Sequence, residues 1–301
     1  MSNGKNIKSP LRYAGGKNRA TKHLIKYLPK NIHEQKVISP FFGGGSFEFY
    51  LNSLGCEVKG YDIFDLLVNY WQIQLKNGKE IANILENYEN NKSFYMKHKE
   101  IVKDHFTGKK IITDRIQLAA DYFYSHNCSY GPMFLGWWSS IYDDRKKYDS
   151  MVDRVRNFKP NKISVHCKPF SQSLKNTGES FIYLDPPYFL NNDKMQIGLY
   201  PNRNFPIHHK GFDHEDLAKM VRKHKGLFML SYNDCEEVKD LYKGYYFYYP
   251  KWNYSMGNGE TRVGKFRKEG NRDNNIKESH EIVITNYEVI GDTEDIYCLF
   301  E

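Results

Sequence analysis

The chain has 301 residues, which is enough to bury a sizeable core in one large domain or two ordinary ones. Lys and Arg number 44 against 36 Asp and Glu, and the resulting net charge of +8 favours a polyanionic partner. The first ten residues are polar and no apolar run reaches membrane-spanning length, which argues against a signal peptide and a transmembrane segment.

The five cysteines are widely scattered and contain no C-x-x-C pair. This spacing argues against a disulfide framework and against a zinc site, and it indicates a reducing compartment. Together with the polar N-terminus it predicts a cytoplasmic protein.

The first 64 residues alternate between helix-like and strand-like segments. Residues 18–29 have helical apolar spacing and end at a proline. The stretch KVISPFFGGGSFEFYLNSLG predicts a short strand, a glycine turn and a helix, and EVKGYDIF predicts a second strand. Such βαβ order is typical of the parallel sheet of an α/β fold.

The glycine turn and the acid after the second strand form the first candidate site. Gly43, Gly44 and Gly45 would let a ligand approach the backbone closely, and Asp62 stands seventeen residues beyond the last of them, where a carboxylate typically binds ribose hydroxyls. The glycines equally fit a tight turn, and Asp62 equally fits a helix cap. Their joint spacing favours an adenosine-containing cofactor.

Aromatic and basic residues flank this turn. Tyr13 and Phe42 offer ring faces that would stabilise a cation such as the sulfonium of S-adenosylmethionine. Lys17, after a Gly-Gly turn, would meet the carboxylate of that cofactor.

From residue 65 to residue 176 the pattern changes. LLVNYWQIQLKNGKEIANILENY and TDRIQLAADYFYSHN predict amphipathic helices, followed by a stretch rich in Gly, Trp and Ser. Strand patterns return only at SVHCKPF and FIYLDPPYF. The simplest interpretation is a mainly helical insertion in a parallel α/β domain.

The tetrapeptide Asp185-Pro186-Pro187-Tyr188 follows a buried strand. Proline fixes its own φ and pushes the preceding residue into an extended conformation, so this is a stiff bend at the carboxyl end of the strand. Prolines also simply end strands. The Asp185 carboxylate and the Pro186 carbonyl are adjacent acceptors beside the Tyr188 ring, an arrangement that suits an exocyclic amine on a planar heterocycle.

The remainder predicts further α/β elements. A helix is expected over His214–Lys223, a strand at GLFMLSY, a helix from Glu236 to Tyr242, and strands at YYFYYP and HEIVITNY. Residues 191–210 and 257–277 are polar. The His208-His209 pair and His214 lack a supporting acidic or cysteine cluster, so no metal site is expected.

The motifs in this order resemble the Dam-type, D12-class DNA adenine-N6 methyltransferases. The match consists of RYAGGK, SPFFGGGSFEF, GYDIF, LDPPYF, FDHEDLAKMV, GLFMLSYND and SHEIVITNY. The resemblance implies a Rossmann-like S-adenosylmethionine-dependent methyltransferase fold. A catalytic domain would occupy 1–64 and 177–301, and a target-recognition domain 65–176. Tyr232 departs from the family pattern, which usually has Asn at that position.

The resemblance also implies roles for individual residues. It assigns catalysis to the tetrapeptide, and cofactor contacts to Tyr13, Lys17, Asp62 and Asp185. S-adenosylmethionine would be the cofactor and S-adenosylhomocysteine the product. In the insert, Asn127 and Tyr130 are expected to contact DNA, and Tyr130 would fill the gap left by a flipped base. The phosphate contacts are expected from basic residues of the late polar segment, Arg262, Lys265 and Arg267.

Other chemistries remain to be compared with this one. Cytosine-C5 methylation needs a Pro-Cys pair, and HCKPF has these residues in the wrong order. N4-cytosine methylation and RNA amino-group methylation use similar acceptors and stay open as alternatives. Those enzymes more often have a residue other than Asp before the Pro-Pro pair, at the position of Asp185. An oxidoreductase would leave the tetrapeptide unused, and a non-catalytic DNA-binding protein needs no cofactor cleft.

The expected partner is double-stranded DNA with a short CATG-like or GATC-like site. A monomer or weak dimer is expected, with a cognate restriction endonuclease as a possible partner in the same system.

Overall fold

The computed structural model describes residues 8–13, 15–131, 133–189, 211–250, 253–255, 276–278 and 281–289. Within them a seven-stranded sheet has the order β3-β2-β1-β4-β5-β9-β6, and β7 pairs with β8 separately. The strands are β1 Lys36–Ser39, β2 Glu57–Asp62, β3 Ile163–Cys167, β4 Phe181–Leu184, β5 Phe228–Asn233, β6 Tyr246–Tyr248, β7 Asn253–Ser255, β8 Ile276–Glu278 and β9 Glu281–Thr285.

Neighbouring strands from β3 to β5 are parallel, and β9 runs antiparallel between β5 and β6. The central strands β4, β5 and β9 are buried at every position. Their near-continuous apolar sequences are typical of strands covered on both faces. The predicted Rossmann-like α/β fold class is confirmed.

The described helices, numbered here in chain order, flank this sheet. They are α1 Thr21–Leu24, α2 Ser46–Ser53, α3 Asp65–Glu86, α4 Lys92–Phe106, α5 Arg115–Asn127, α6 Arg145–Asn157, α7 Phe170–Ser173, α8 His214–Lys223 and α9 Glu236–Leu241. Short 3₁₀ helices cover Ile25–Tyr27, Ile32–Glu34 and Ser140–Asp143.

The sequence predicts most of these helices but not α4, α6 and the four-residue α7. In α4 the buried stripe of Tyr95 and Val102 is interrupted by His98, whose Nδ1 lies 2.6 Å from Asp121 Oδ1 on α5. A buried polar pair of this kind breaks the apolar periodicity on which the prediction depends. The helix predicted over 18–29 is also shorter, since only α1 and one 3₁₀ turn form there.

The helices α3 to α6 share one hydrophobic core with the sheet. Trp71 of α3 packs between Phe49 of α2 and Phe158, with ring centroids 5.1 and 6.2 Å away. The range 65–176, predicted as a recognition domain, includes β3, which is a strand of the central sheet. The predicted boundary at 176 therefore lies after β3, so the predicted insert contains one strand of the central sheet.

None of the described helices is long and apolar enough to cross a membrane.

Candidate active site

The Asp-Pro-Pro-Tyr turn leaves β4 at the carboxyl edge of the parallel strands. Asn233, at the end of the neighbouring strand β5, clamps the backbone just beyond this turn. Phe189 N donates to Asn233 Oδ1 and Asn233 Nδ2 donates to Phe189 O, both at 2.9 Å. Because Asn233 is nearly buried, this clamp fixes the turn relative to the sheet.

Lys17 lies against this turn. Its Nζ is 2.7 Å from Asp185 Oδ1 and donates to the Tyr188 hydroxyl at 2.9 Å. Glu281 Oε2, at the start of β9, is 3.7 Å from the same nitrogen. The Lys17 side chain is only 4% exposed, so the ammonium is held by these acidic and hydroxyl partners rather than by water. This position differs from the predicted contact with a cofactor carboxylate.

The Asp185 carboxyl has an unusual electrostatic environment. Burial raises its pKa to about 6; the Lys17 ammonium acts in the opposite direction, and the Glu281 carboxylate adds to the increase. Asp185 is therefore ionised at neutral pH but close to its titration range.

A third carboxyl group, that of Glu48, interacts with the charges of Asp185 and Lys17. Glu48 of α2 is buried and accepts a hydrogen bond from Ser39 Oγ at 2.7 Å. Burial raises its pKa to about 8, with a smaller contribution from the Asp185 charge. Across the described ranges, no group of three or more His, Cys, Asp or Glu side chains is arranged to hold a metal ion.

The Tyr188 ring is positioned from two sides. It stacks on Tyr232 of β5, with centroids 6.1 Å apart and an interplanar angle of 30°, and the Lys17 Nζ lies 5.1 Å from its centroid. The Tyr232 hydroxyl is hydrogen-bonded to His214 Nδ1 on α8. At the position where the family usually has Asn, this chain thus has a buried ring that supports Tyr188.

The glycine turn and Asp62 meet at the carboxyl ends of β1 and β2. Gly43 N donates to Asp62 Oδ2 at 2.9 Å, and Phe64 N donates to Asp62 Oδ1 at 3.0 Å. Trp71 Nε1 donates to Gly43 O at 2.9 Å. The predicted proximity of the glycines and the acid is therefore present, and the carboxylate is oriented by backbone donors.

Tyr13 lies directly on this turn. A Cβ on Gly44 would lie 2.5 Å from Tyr13 Cβ, and one on Gly43 would lie 3.1 Å from Tyr13 Cε1. The Tyr13 ring also stacks on His126 of α5, with ring centroids 5.7 Å apart. Burial lowers the pKa of His126 to about 4, so its ring is neutral. Sequence reasoning missed His126, because a buried histidine in a helix has no distinguishing local pattern.

Phe42, which the sequence predicts to contact a cofactor, lies in the core below the glycine turn. Its side chain is 2% exposed and packs edge-on against Phe49 and Trp71, with both centroids 5.6 Å away. A side chain on Gly60 would overlap the Phe42 ring, and one on Gly45 would lie 2.8 Å from it. Phe42 is a core residue that supports the turn from below, and its contact with a cofactor stays a prediction.

Asn127 is also a structural residue in this fold. It is fully buried, and its Oδ1 accepts a hydrogen bond from Arg12 N at 2.7 Å. Arg12 Nη1 donates to Asn127 O at 3.0 Å. The predicted DNA contact by Asn127 does not fit this burial; the residue instead fixes the segment that carries Tyr13.

Tyr130 lies on a hairpin that begins with an antiparallel bridge between Ser129 and Trp138. Tyr130 is 39% exposed and Trp137 is 68% exposed, while Phe134 anchors the loop by packing on Phe64 at 5.0 Å. The exposed Trp137 was not singled out from the sequence. The predicted phosphate-binding residues Arg262, Lys265 and Arg267 lie outside the described residues.

Comparison with known proteins agrees with this geometry. The family model described as "D12 class N6 adenine-specific DNA methyltransferase" matches residues 13–256. The chain is also 28% identical over 250 residues to the "Type II methyltransferase M.MjaIII" of Methanocaldococcus jannaschii, covering 72% of this chain and 80% of that protein. The matched residues extend from Tyr13 past the Asp-Pro-Pro-Tyr turn and the Asn233 clamp. The chain therefore belongs to the D12 class N6 adenine-specific DNA methyltransferase family.

Proposed function

We propose that the chain transfers a methyl group from S-adenosylmethionine to N6 of an adenine flipped out of a short duplex site. The observation that carries this proposal is the Asp185 carboxylate, which is ion-paired with the Lys17 ammonium at 2.7 Å beside the Tyr188 ring. The Lys17 ammonium thus shows that a nitrogen atom can approach the Asp185 carboxylate to 2.7 Å at this turn.

The chemistry requires an activated exocyclic amine. The adenine N6 lone pair is delocalised into the ring, and acceptors for both of its hydrogens would draw it out of conjugation. The Asp185 carboxylate and the Pro186 carbonyl are the acceptors that we assign. A nitrogen–carbon bond forms as the carbon–sulfur bond to the methyl breaks, and one proton leaves N6 with the Asp185 carboxylate as its first acceptor.

The residues at the glycine turn fit the methyl donor. When bound, S-adenosylmethionine supplies an electrophilic methyl group on a sulfonium sulfur. Asp62, oriented by two backbone N–H groups, suits the ribose hydroxyls, and the Tyr13 ring suits the adenine or the sulfonium. Side chains at Gly43 and Gly44 would collide with Tyr13, so the glycines keep that ring against the turn.

Base flipping explains the aromatic residues near the turn. Unstacking a base costs a few kcal/mol, and stacking it on an aromatic ring recovers about 1–3 kcal/mol. Tyr188, supported by Tyr232, would receive the flipped adenine, and the hairpin carrying Tyr130 and Trp137 would contact the duplex.

The biological setting that we propose follows from the Type II relative. A short palindromic word of CATG-like or GATC-like type would be modified, in the same system as an endonuclease that reads the same word. The enzyme would act as a monomer or weak dimer, as expected for a single flipped base.

The test is nucleoside mass spectrometry of unmethylated duplex DNA after incubation with the protein and S-adenosylmethionine. N6-methyladenine is the expected product, and modified-base sequencing of the same sample gives the word. N4-methylcytosine alone would overturn the base assignment. Bound cofactor without any modified DNA base would contradict the proposed reaction and favour RNA or a binding role.

A further inference from the structure

Glu281 lies at the active site although it is far from the other site residues in sequence. It is the first residue of the antiparallel strand β9 and is in register with Asn233, which clamps the Asp-Pro-Pro-Tyr turn. Its side chain is 5% exposed, and its Oε2 lies 3.7 Å from Lys17 Nζ. The strand pairing therefore brings a buried carboxylate behind the ammonium that contacts Asp185.

Among the residues that the structure describes, one ammonium lies near two carboxylates. One ammonium, from Lys17, lies between the carboxylates of Asp185 at 2.7 Å and Glu281 at 3.7 Å. A buried ammonium that loses one partner is strongly destabilised unless another anion receives it. Glu281 is about 1 Å further away than Asp185, so a small movement of the flexible Lys17 side chain would exchange one carboxylate for the other.

This exchange matters because Lys17 is paired with the carboxylate that the substrate amine needs. In the present arrangement the Lys17 ammonium is ion-paired with Asp185 Oδ1 at 2.7 Å, and the same carboxylate is the acceptor assigned to the target amine. We propose that Glu281 is a positioning residue for methyl transfer, which takes over the Lys17 ammonium from Asp185 when the target amine binds. This inference rests on the proposed function.

The groups that face Asp185 come from every neighbouring element. Lys17 approaches from the segment before α1, Glu281 from β9, Glu48 from α2, and Tyr183 and Tyr188 from β4 and the turn that follows it. Glu281 acts to raise the pKa of Asp185, whereas Lys17 acts to lower it. Removing the Glu281 charge should therefore lower the pKa of Asp185, while removing the Lys17 charge should raise it.

The first experiment uses the Glu281→Gln variant, which keeps the shape and removes the charge. Lys17 then stays on Asp185 and competes with the amine, so kcat should fall roughly ten- to a hundredfold while cofactor affinity is unchanged. The acid limb of the kcat/KM profile should move to lower pH. Glu281→Asp, which restores the charge on a shorter side chain, should recover part of kcat and return the acid limb towards its wild-type position.

A double-mutant cycle tests whether Glu281 acts through Lys17. In a Lys17→Met background at a pH well above the acid limb, Glu281→Gln should produce no further loss of kcat. Additive losses would contradict the exchange. A purely structural role would also contradict it: Glu281→Gln would then lower the melting temperature and leave the acid limb in place.

A measurement on the ligand-free protein separates this inference from the proposed function. Carboxyl ¹³C NMR of labelled Asp gives the titration midpoint of Asp185, and the Asp185→Asn variant identifies its signal. We expect Glu281→Gln to move this midpoint to lower pH; an unchanged midpoint would overturn the inference. If wild-type protein methylates no DNA while the midpoint does shift, the charge coupling stands, and the proposed reaction and the positioning role fail together.

Discussion

At the scale of single residues, the methyl transfer that we propose depends on the ionisation state of Asp185. Its carboxylate must be ionised to accept hydrogens from an amine, yet burial at the carboxyl edge of the sheet opposes ionisation. The Lys17 ammonium partly offsets this opposition from 2.7 Å away. A single buried cation thus keeps the acceptor charged near neutral pH.

This environment predicts the pH dependence of the reaction. Because the pKa of Asp185 is raised to about 6, protonation on the acid side removes the acceptor, and kcat/KM should fall about tenfold per pH unit below that value. The measurement is single-turnover methylation from pH 5 to pH 8. A flat profile across this range would contradict the assigned role of the carboxylate.

The same scale shows where sequence reasoning is limited. The acidic tetrapeptide and Asp62 are recognisable because their chemistry and spacing are local. The direction in which a ring points is not local: Phe42 turns into the core because Gly60, on another strand, leaves room for it. Likewise Glu281 reaches Lys17 only through the antiparallel pairing of β9.

At the scale of elements, the end of β5 holds the turn that leaves β4. Asn233 makes two hydrogen bonds to the Phe189 backbone, and a similar clamp exists at the other end of β5. There, Phe228 N donates to Asn286 Oδ1 and Asn286 Nδ2 donates to Gly226 O, both at 2.9 Å. Because the two Asn side chains make equivalent backbone hydrogen bonds at opposite ends of β5, substitutions of the two residues can be compared directly.

The prediction concerns Asn233→Ala, with Asn286→Ala as its control. Each variant should lower the free energy of unfolding by about 1–3 kcal/mol because buried backbone groups lose their partners. Only Asn233→Ala should also lower kcat, by roughly ten- to a hundredfold, since it releases the catalytic turn. Denaturant unfolding and steady-state kinetics measure both effects, and equal losses of kcat would contradict the account.

A second prediction at this scale concerns α2 and its buried acid. The pKa of Glu48 in the folded chain is raised to about 8 from its ordinary value of 4.5, so the folded state binds more protons between these values. Stability from this group is present at low pH and is lost as pH rises through 8. The isosteric Glu48→Gln variant, which still accepts from Ser39, should remove this loss.

The measurement is the free energy of unfolding of both proteins from pH 4.5 to pH 9. The free energy of unfolding of the variant should increase relative to that of the wild type as pH rises, by on the order of a few kcal/mol. The difference should level off above pH 8. A difference that is independent of pH would show that Glu48 is not the group responsible.

At the scale of the whole molecule, the helices of the insert and the sheet form one core. Composition and periodicity are sufficient to predict the parallel sheet and the long helices α3 and α5. They do not show that α3 packs on β2 and β3, which depends on contacts distant in sequence. Trp71 links the two parts, since its ring lies in the shared core and its Nε1 donates to Gly43 O in the glycine turn.

This link predicts the behaviour of Trp71→Ala. Loss of a fully buried large ring should destabilise the chain by about 3–5 kcal/mol, and loss of the hydrogen bond to Gly43 should weaken cofactor binding. When the variant is unfolded, the far-ultraviolet signal of the helices and the near-ultraviolet circular dichroism signal should be lost in the same transition. Separate transitions would show that the helices and the sheet fold independently.

In the reaction that we propose, Asp185 receives the target amine at the turn that follows β4. The most direct test measures N6-methyladenine formation and cofactor binding by the Asp185→Ala variant, with Asp153→Asn, an exposed change on α6, as the control. The account predicts that Asp185→Ala abolishes methyl transfer, weakens S-adenosylmethionine binding only partly in calorimetry, and that the control behaves as wild type. Full transfer by Asp185→Ala would contradict it.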